Sequence, residues 1–180
     1  VKAKSDYMLI DRAHRKMREE GLPFTLTSSE ELDYSYSIPI ILLTAHLQNW
    51  KLFPISPSMM DGKAHYEFGR QLKRVLHAET RRVAVIASAD LSHKLTADSP
   101  GGPSAEGPKF DEAVKQAVQT KDPNHLLSLP LEVIENSGQC GYRPITTLLG
   151  TLENTNYEPK VLSYEAPFGV GYLVAKYNIG

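Results

Sequence analysis

The spacing of apolar residues predicts a chain of alternating helices and strands. Apolar side chains that recur every three or four positions mark one face of an amphipathic helix, and this spacing is clearest at Ala64, Phe68 and Leu72. Short apolar runs that end at Gly, Pro, Ser or Asp instead indicate strands. By these criteria the helices cover residues 5–21, 61–77, 110–118, 124–129, 131–136 and 144–152, and the strands cover residues 22–26, 38–43, 51–56, 83–87, 157–164 and 169–177.

The apolar run from Val83 to Ala87 is the strand around which the predicted fold is organised. The run is unbroken, so we expect both of its faces to be buried, as in a parallel sheet that is covered by helices. The strand at 51–56 and the helix at 61–77 precede it, which predicts a βαβ unit with two parallel strands and a right-handed connection. The pattern therefore predicts an α/β fold.

Polar residues follow directly where this strand ends. Asp90, Ser92 and His93 belong to a loop at the carboxyl end of the strand, where open α/β sheets bind their ligands. Because imidazole exchanges protons near neutral pH, His93 is a candidate acid/base group, and Asp90 is a candidate for orienting its ring. Ser92 is a candidate pocket residue. The alternative is a loop histidine that only caps or hydrogen-bonds.

A second candidate stretch, Gly138-Gln139-Cys140-Gly141, precedes the last predicted helix. Its two glycines permit unusual backbone angles, and such a backbone ahead of a helix commonly presents side chains to a pocket. Gln139 and Cys140 are therefore candidate pocket residues. One interpretation pairs Cys140 with His93 as nucleophile and base, and the other is a buried, inert cysteine. The Gly- and Pro-rich residues 95–108 predict a long loop that is either a functional lid or disordered.

Composition and charge limit the possible classes of function. The chain has 180 residues, of which 41% are hydrophobic and 23% charged, and this suits one globular domain with a sizeable core. A net charge of −1 offers no basic field for nucleic acid or an anionic membrane. Cys140 is the single cysteine, so an internal disulfide is excluded and a cytoplasmic protein is expected. The chain begins with Val1 rather than Met, which suggests a piece of a longer protein.

Three motifs in this order resemble the LigB-type class III extradiol ring-cleaving dioxygenases and the related Memo-type proteins. They are Asp90-Leu91-Ser92-His93, Gly138-Gln139-Cys140-Gly141 and Ala166-Pro167-Phe168-Gly169-Val170-Gly171-Tyr172. The resemblance implies one three-layer α/β domain over residues 1–180, with a mainly parallel central sheet flanked by helices. It also implies a ferrous iron held by two His and one Glu, whose open positions take a catecholic substrate and dioxygen. His93 matches the acid/base histidine of the family.

The positions that match the iron ligands of this family carry other residues. The first His belongs to a His-Pro-Pro-type motif after the first strand, and we expect that strand and motif to be missing or to lie before Val1. Tyr34 occupies the position of the second His, and Gln139 occupies that of the Glu. A neutral amide lacks the charge that offsets the desolvation of a cation, and a phenol binds metal well only once it is ionised. These changes point to a site that has lost its iron, with a tyrosinate bound to ferric iron as the alternative.

Three functions remain open, and the sequence does not decide whether the chain is an enzyme. The first is a non-catalytic domain that serves as a partner subunit of a catalytic paralogue or forms a homo-oligomer. The second is an active Fe(II)-dependent dioxygenase of aromatic catabolism that cleaves catecholic or aminophenolic rings. The third is a metal-free protein that binds a small aromatic molecule. In each case we expect Tyr34, His93 and Gln139 to line one cleft, with residues 95–108 in its wall and a polar partner for the Tyr34 hydroxyl.

Overall fold

The computed structural model describes residues 2–29 and 31–179, in which helices outnumber strands. The two strands form an antiparallel hairpin, and a short 3-10 turn at Pro167–Gly169 joins them. No helix in this described part is both long enough and apolar enough to cross a membrane. The helices are α1 (Tyr7–Glu19), α2 (Tyr34–Thr44), α3 (Gly62–His77), α4 (Glu106–Thr120), α5 (Asn124–Leu127), α6 (Leu131–Asn136) and α7 (Tyr142–Leu152), and the strands are β1 (Tyr157–Glu165) and β2 (Tyr172–Ile179).

Helices α1 and α3 confirm the helical periodicity of the first half of the chain. Asp6 caps α1 by accepting a hydrogen bond from Leu9 N, and Asp61 caps α3 by accepting one from Ala64 N. The apolar faces of the two helices pack together into one core. Its buried members are Leu9, Ala13, Met17, Leu72 and Val75.

A second core joins α4, α7 and the hairpin. Phe110, Val114 and Leu126 are fully buried in this core, which accounts for the apolar face that the sequence predicts for α4. Helices α3 and α7 cross so closely that a Cβ atom on Gly69 would clash with the backbone of α7. This contact requires glycine and holds the two cores together.

The carboxyl-terminal hairpin confirms the two strands predicted there. Tyr157 pairs with Ile179 and Glu165 with Tyr172, so β1 is paired with β2 from its first residue to its last. The register shifts once, between Val161 and Ser163. Because the two strands are joined by a short turn, their pairing follows from local sequence.

Two of the strands predicted in the first half of the chain are not found. Residues 38–43 belong to helix α2 instead, and Asp33 caps this helix by accepting a hydrogen bond from Ser35 N. Residues 22–26 form neither a helix nor a strand. The strand predicted at 51–56 is reduced to one parallel bridge between Leu52 and Ser5. The mainly parallel central sheet is therefore not confirmed among the described residues.

The prediction that residues 83–87 form a strand buried on both faces is wrong. The segment has no regular secondary structure, and Val83, Val85 and Ile86 are 44%, 40% and 51% exposed. Its backbone makes no hydrogen bond with a described residue. A strand needs a neighbour that accepts its hydrogen bonds, and the 83–87 segment instead borders an open groove of about 1190 Å³.

We predict that the second core, rather than the 83–87 segment, carries the stability of this chain. Leu126→Ala removes a fully buried side chain, and we expect it to lower the free energy of unfolding by roughly 2–5 kcal/mol. Ile86→Ala removes a half-exposed one and should cost less than about 1 kcal/mol. Urea unfolding followed by circular dichroism measures both changes. An equal or larger loss for Ile86→Ala would mean that the segment is buried in solution.

Candidate functional site

The loop that carries His93, residues 90–95, is anchored to two other parts of the chain. Leu91 N donates to Gly171 O at 2.8 Å, and Gly171 N donates to Ser92 O at 2.8 Å, so the start of β2 holds the loop on one side. On the other side His93 N donates to Ser137 O at 3.3 Å. The position of the His93 loop is thus set by residues that are remote in sequence.

Ser92 lies beneath this loop rather than in an open pocket. Its side chain is fully buried, and its hydroxyl donates to Ser137 O at 2.8 Å and accepts from Lys94 N at 3.0 Å. Its backbone N–H donates to a carboxylate oxygen of Asp111 at 2.8 Å. The hydroxyl and the backbone N–H of Ser92, which the sequence predicts to line a pocket, therefore both make hydrogen bonds within the protein.

Asp111 is a buried carboxylate that the sequence analysis did not select. It is 1% exposed, and its oxygens accept hydrogen bonds from Ser92 N and, at 2.7 Å, from the Tyr164 hydroxyl. Burial raises the pKa of the Asp111 carboxyl, although both hydrogen bonds act to lower it. The sequence does contain a signal for a buried carboxylate here. Asp111 has helical spacing with Val114 and Val118, which places a charged residue on the apolar face of α4.

The anchored loop brings Asp90 and His93 to Cys140, which belongs to the loop before α7. Each of the three residues offers one ligand atom, and these atoms lie within 4.8 Å of one another. Asp90 N donates to Cys140 Sγ at 3.1 Å. The His93 Nε2 atom lies 3.4 Å from Asp90 Oδ2. The structure therefore brings together three of the residues that the sequence analysis named, and we call them the Asp-His-Cys cluster.

The polar atoms of this cluster are only partly satisfied. His93 Nε2 is buried and makes no hydrogen bond with a described residue, because its contact with Asp90 does not have hydrogen-bond geometry. Partial burial of the sulfur raises the pKa of the Cys140 thiol, although the residue as a whole is exposed. The backbone bond with Asp90 lowers this pKa, and the charge of the Asp90 carboxylate raises it. Burial outweighs the backbone bond, so the pKa of the Cys140 thiol lies above its usual value.

Gln139, next to Cys140, has its side-chain amide bound to the backbone at both ends. The Oε1 atom accepts from Tyr142 N at 2.7 Å, at the first residue of α7, and Nε2 donates to Ile134 O at 3.2 Å. An amide used in this way caps a helix start. Both ends of the Gln139 amide are therefore engaged in backbone hydrogen bonds.

Tyr34 lies at the surface of the protein. It is the first residue of α2, its side chain is 74% exposed, and its hydroxyl makes no hydrogen bond among the described residues. The expected polar partner for this hydroxyl is therefore not found. The expectation that Tyr34, His93 and Gln139 line one cleft stays a prediction.

Of the Gly- and Pro-rich residues 95–108, residues 95–105 form a loop that packs on the turn between the strands, and residues 106–108 begin helix α4. Ser99 is buried, and its hydroxyl donates to Gly169 O at 2.8 Å and accepts from Thr96 N at 2.9 Å. Leu95 N also donates to Gly169 O at 3.1 Å. This loop is therefore a packed part of the structure, which argues against the disordered alternative.

The residues at the expected ligand positions do not fit the iron site of two His and one Glu that the resemblance implies. Gln139 has its amide bound to backbone atoms, and Tyr34 is an exposed phenol on α2. The groups that do converge are the imidazole of His93, the thiol of Cys140 and the carboxylate of Asp90. These form a different donor set, which mixes nitrogen, sulfur and oxygen.

Comparison with known proteins identifies similar sequences. Residues 1–175 match the family described as the catalytic LigB subunit of aromatic ring-opening dioxygenase. A protein of Clostridium acetobutylicum is 32% identical over 145 residues, which are 81% of this chain and 31% of the relative. A MEMO1 family protein of Methanosarcina mazei is 25% identical over 135 residues, or 72% of this chain and 47% of the relative. Another MEMO1 family protein, from Methanococcoides burtonii, is 26% identical over 172 residues, or 83% of this chain and 62% of the relative. The chain thus spans 31 to 62% of the length of these relatives.

We predict that the Asp90 carboxylate suppresses the reactivity of Cys140. Asp90→Asn keeps the backbone contacts but removes the charge that raises the pKa of the thiol, so the thiolate fraction should rise and iodoacetamide should react several-fold faster at pH 7.5. In the unaltered protein the rate should increase about tenfold per pH unit from pH 7 to pH 8, below the raised pKa. Asp98→Asn, which changes an exposed carboxylate, is the control. An unchanged rate in Asp90→Asn would contradict the electrostatic coupling.

Proposed function

This chain belongs to the LigB family, and we propose that it binds a divalent transition-metal ion at the Asp-His-Cys cluster without opening aromatic rings. One observation carries the proposal: Asp90, His93 and Cys140 place their ligand atoms within 4.8 Å of one another. The comparisons support the family, and the chemistry of the site is argued from these residues.

The donor set of the cluster suits a metal such as zinc or ferrous iron. Thiolate and imidazole are ligands of transition metals, whereas magnesium and calcium prefer oxygen. Three protein ligands leave a further coordination position for water or a small molecule. A bound cation would also satisfy His93 Nε2, which is buried without a hydrogen bond among the described residues, and would favour the thiolate form of Cys140.

The absence of ring cleavage is supported by the residues at the other two ligand positions. Gln139 is bound to the backbone of Ile134 and Tyr142, so rotating its amide toward a metal would break both hydrogen bonds. Tyr34 is an exposed phenol on α2, and a phenol binds a metal well only once it is ionised. A domain of this kind fits a role beside a catalytic paralogue, or in a homo-oligomer, and a small aromatic molecule is the ligand that its family predicts.

The second candidate function is Fe(II)-dependent extradiol cleavage of catecholic or aminophenolic rings. The observation that favours it is His93 Nε2, which is buried and makes no hydrogen bond with a described residue, so this ring nitrogen is available to exchange a proton with a bound substrate. Incubation with ferrous iron, dioxygen and a panel of catechols and aminophenols should give no coloured ring-opened product according to our proposal. Formation of such a product, with its loss in His93→Ala, would establish the second function instead.

We predict that the chain binds one Co²⁺ ion, used here as a spectroscopic substitute for zinc or iron. Binding should produce a sulfur-to-cobalt charge-transfer band, because Cys140 supplies a thiolate. Cys140→Ser should abolish this band, and His93→Ala should weaken binding at least tenfold. His125→Ala, which removes an exposed histidine of α5, is the matched control. Equal binding by Cys140→Ser and the unaltered protein would contradict the site.

A further inference from the structure

We infer that Asp111 is a positioning residue for the Asp-His-Cys cluster: its carboxylate fixes the His93 loop in the conformation that brings Asp90 and His93 to Cys140. This inference rests on the proposed function for its relevance to metal binding. It concerns a residue that offers no ligand atom to the cluster.

The first observation is the place at which Asp111 holds the loop. Its carboxylate accepts from Ser92 N at 2.8 Å, and Ser92 lies between Asp90 and His93 in the sequence. The bond therefore fixes the centre of the short segment whose two ends carry two of the three proposed ligands. Because Asp111 is 1% exposed, water cannot replace this acceptor without a rearrangement.

The second observation is that Asp111 is itself held in place by the hairpin. The hydroxyl of Tyr164, on β1, donates to the carboxylate at 2.7 Å. A Cβ atom on Gly171 would clash with Asp111 Oδ2, so only glycine lets the start of β2 come this close. Gly171 also bonds through its backbone to Leu91 and Ser92. The Asp111 carboxylate and the backbone of Gly171 therefore both hydrogen-bond to the His93 loop.

A variant at a second buried carboxylate distinguishes a positioning role of Asp111 from a merely structural one. Loss of any buried carboxylate with hydrogen bonds lowers stability, and Asp6 provides a matched case. Asp6 is 3% exposed, caps α1 and pairs with the half-exposed Arg81. Asp6→Ala should therefore lower Tm without changing the cluster. Asp111→Ala should change the cluster as well, because Ser92 N loses the acceptor that holds the loop.

Two measurements on Asp111→Ala test this inference. In a Co²⁺ titration we expect affinity to fall at least tenfold and the sulfur-to-cobalt band to change, whereas Asp6→Ala keeps both. Asp111→Asn should restore affinity to within about threefold, because its amide oxygen can still accept from Ser92 N. In the absence of metal, iodoacetamide should modify Cys140 several-fold faster in Asp111→Ala, because the loss of the 3.1 Å contact between Asp90 N and the Cys140 sulfur leaves the sulfur more accessible. If the alanine variant does not fold, Asp111→Ser takes its place, since serine is too short to reach Ser92 N.

The outcomes keep this inference apart from the proposed function. If the unaltered protein does not bind Co²⁺, the proposed function fails, and the rate of Cys140 modification still decides the role of Asp111. If the unaltered protein binds Co²⁺ and Asp111→Ala binds it equally well, with the same Cys140 reactivity as Asp6→Ala, Asp111 is structural only and the inference is overturned.

Discussion

The hydrogen bond between the buried Asp111 carboxylate and Ser92 N links the core of this chain to its candidate site. A buried carboxylate is costly unless hydrogen bonds compensate it, and here Ser92 N and the Tyr164 hydroxyl provide two. These donors come from the His93 loop and from β1, while Asp111 itself lies on α4. One side chain thus joins a helix, a strand and a loop. The backbone bonds between Gly171 and the loop depend on the same close approach.

The candidate site shows that a chain can belong to a family without carrying that family's metal ligands. The match over residues 1–175 places the chain in the LigB family, yet Gln139 is a helix-capping residue and Tyr34 is an exposed side chain. The Asp-His-Cys cluster is instead formed by residues that converge on Cys140. Because a fold can carry several chemistries, the donor atoms that meet in space are a better guide than aligned positions.

The 83–87 segment shows that an apolar run forms a strand only where neighbouring backbone can pair with it. The run is apolar and contains three β-branched residues, as a central strand would, but Val83, Val85 and Ile86 remain exposed, and the backbone of the run has no hydrogen-bond partner among the described residues. In contrast, the helices α1 and α3 satisfy their own backbone groups and need a neighbour only for one apolar face. Hence the helical spacing predicts α1 and α3 correctly, whereas an unbroken apolar run does not predict a strand at residues 83–87.

The sequence by itself determined the local elements: the capped helices α1 and α3, the apolar face of α4, and the hairpin of β1 and β2. Each of these depends on residues that are close in the chain, through periodicity, caps or a short turn. It also identified Asp90, His93 and Cys140 as candidates. Only the tertiary structure decided that these three meet, that Ser92 and Asp111 lie buried beneath them, and that Gln139 binds the backbone. These contacts join residues some twenty to eighty positions apart in the chain, and neither periodicity nor motif spacing shows which remote residues meet in space.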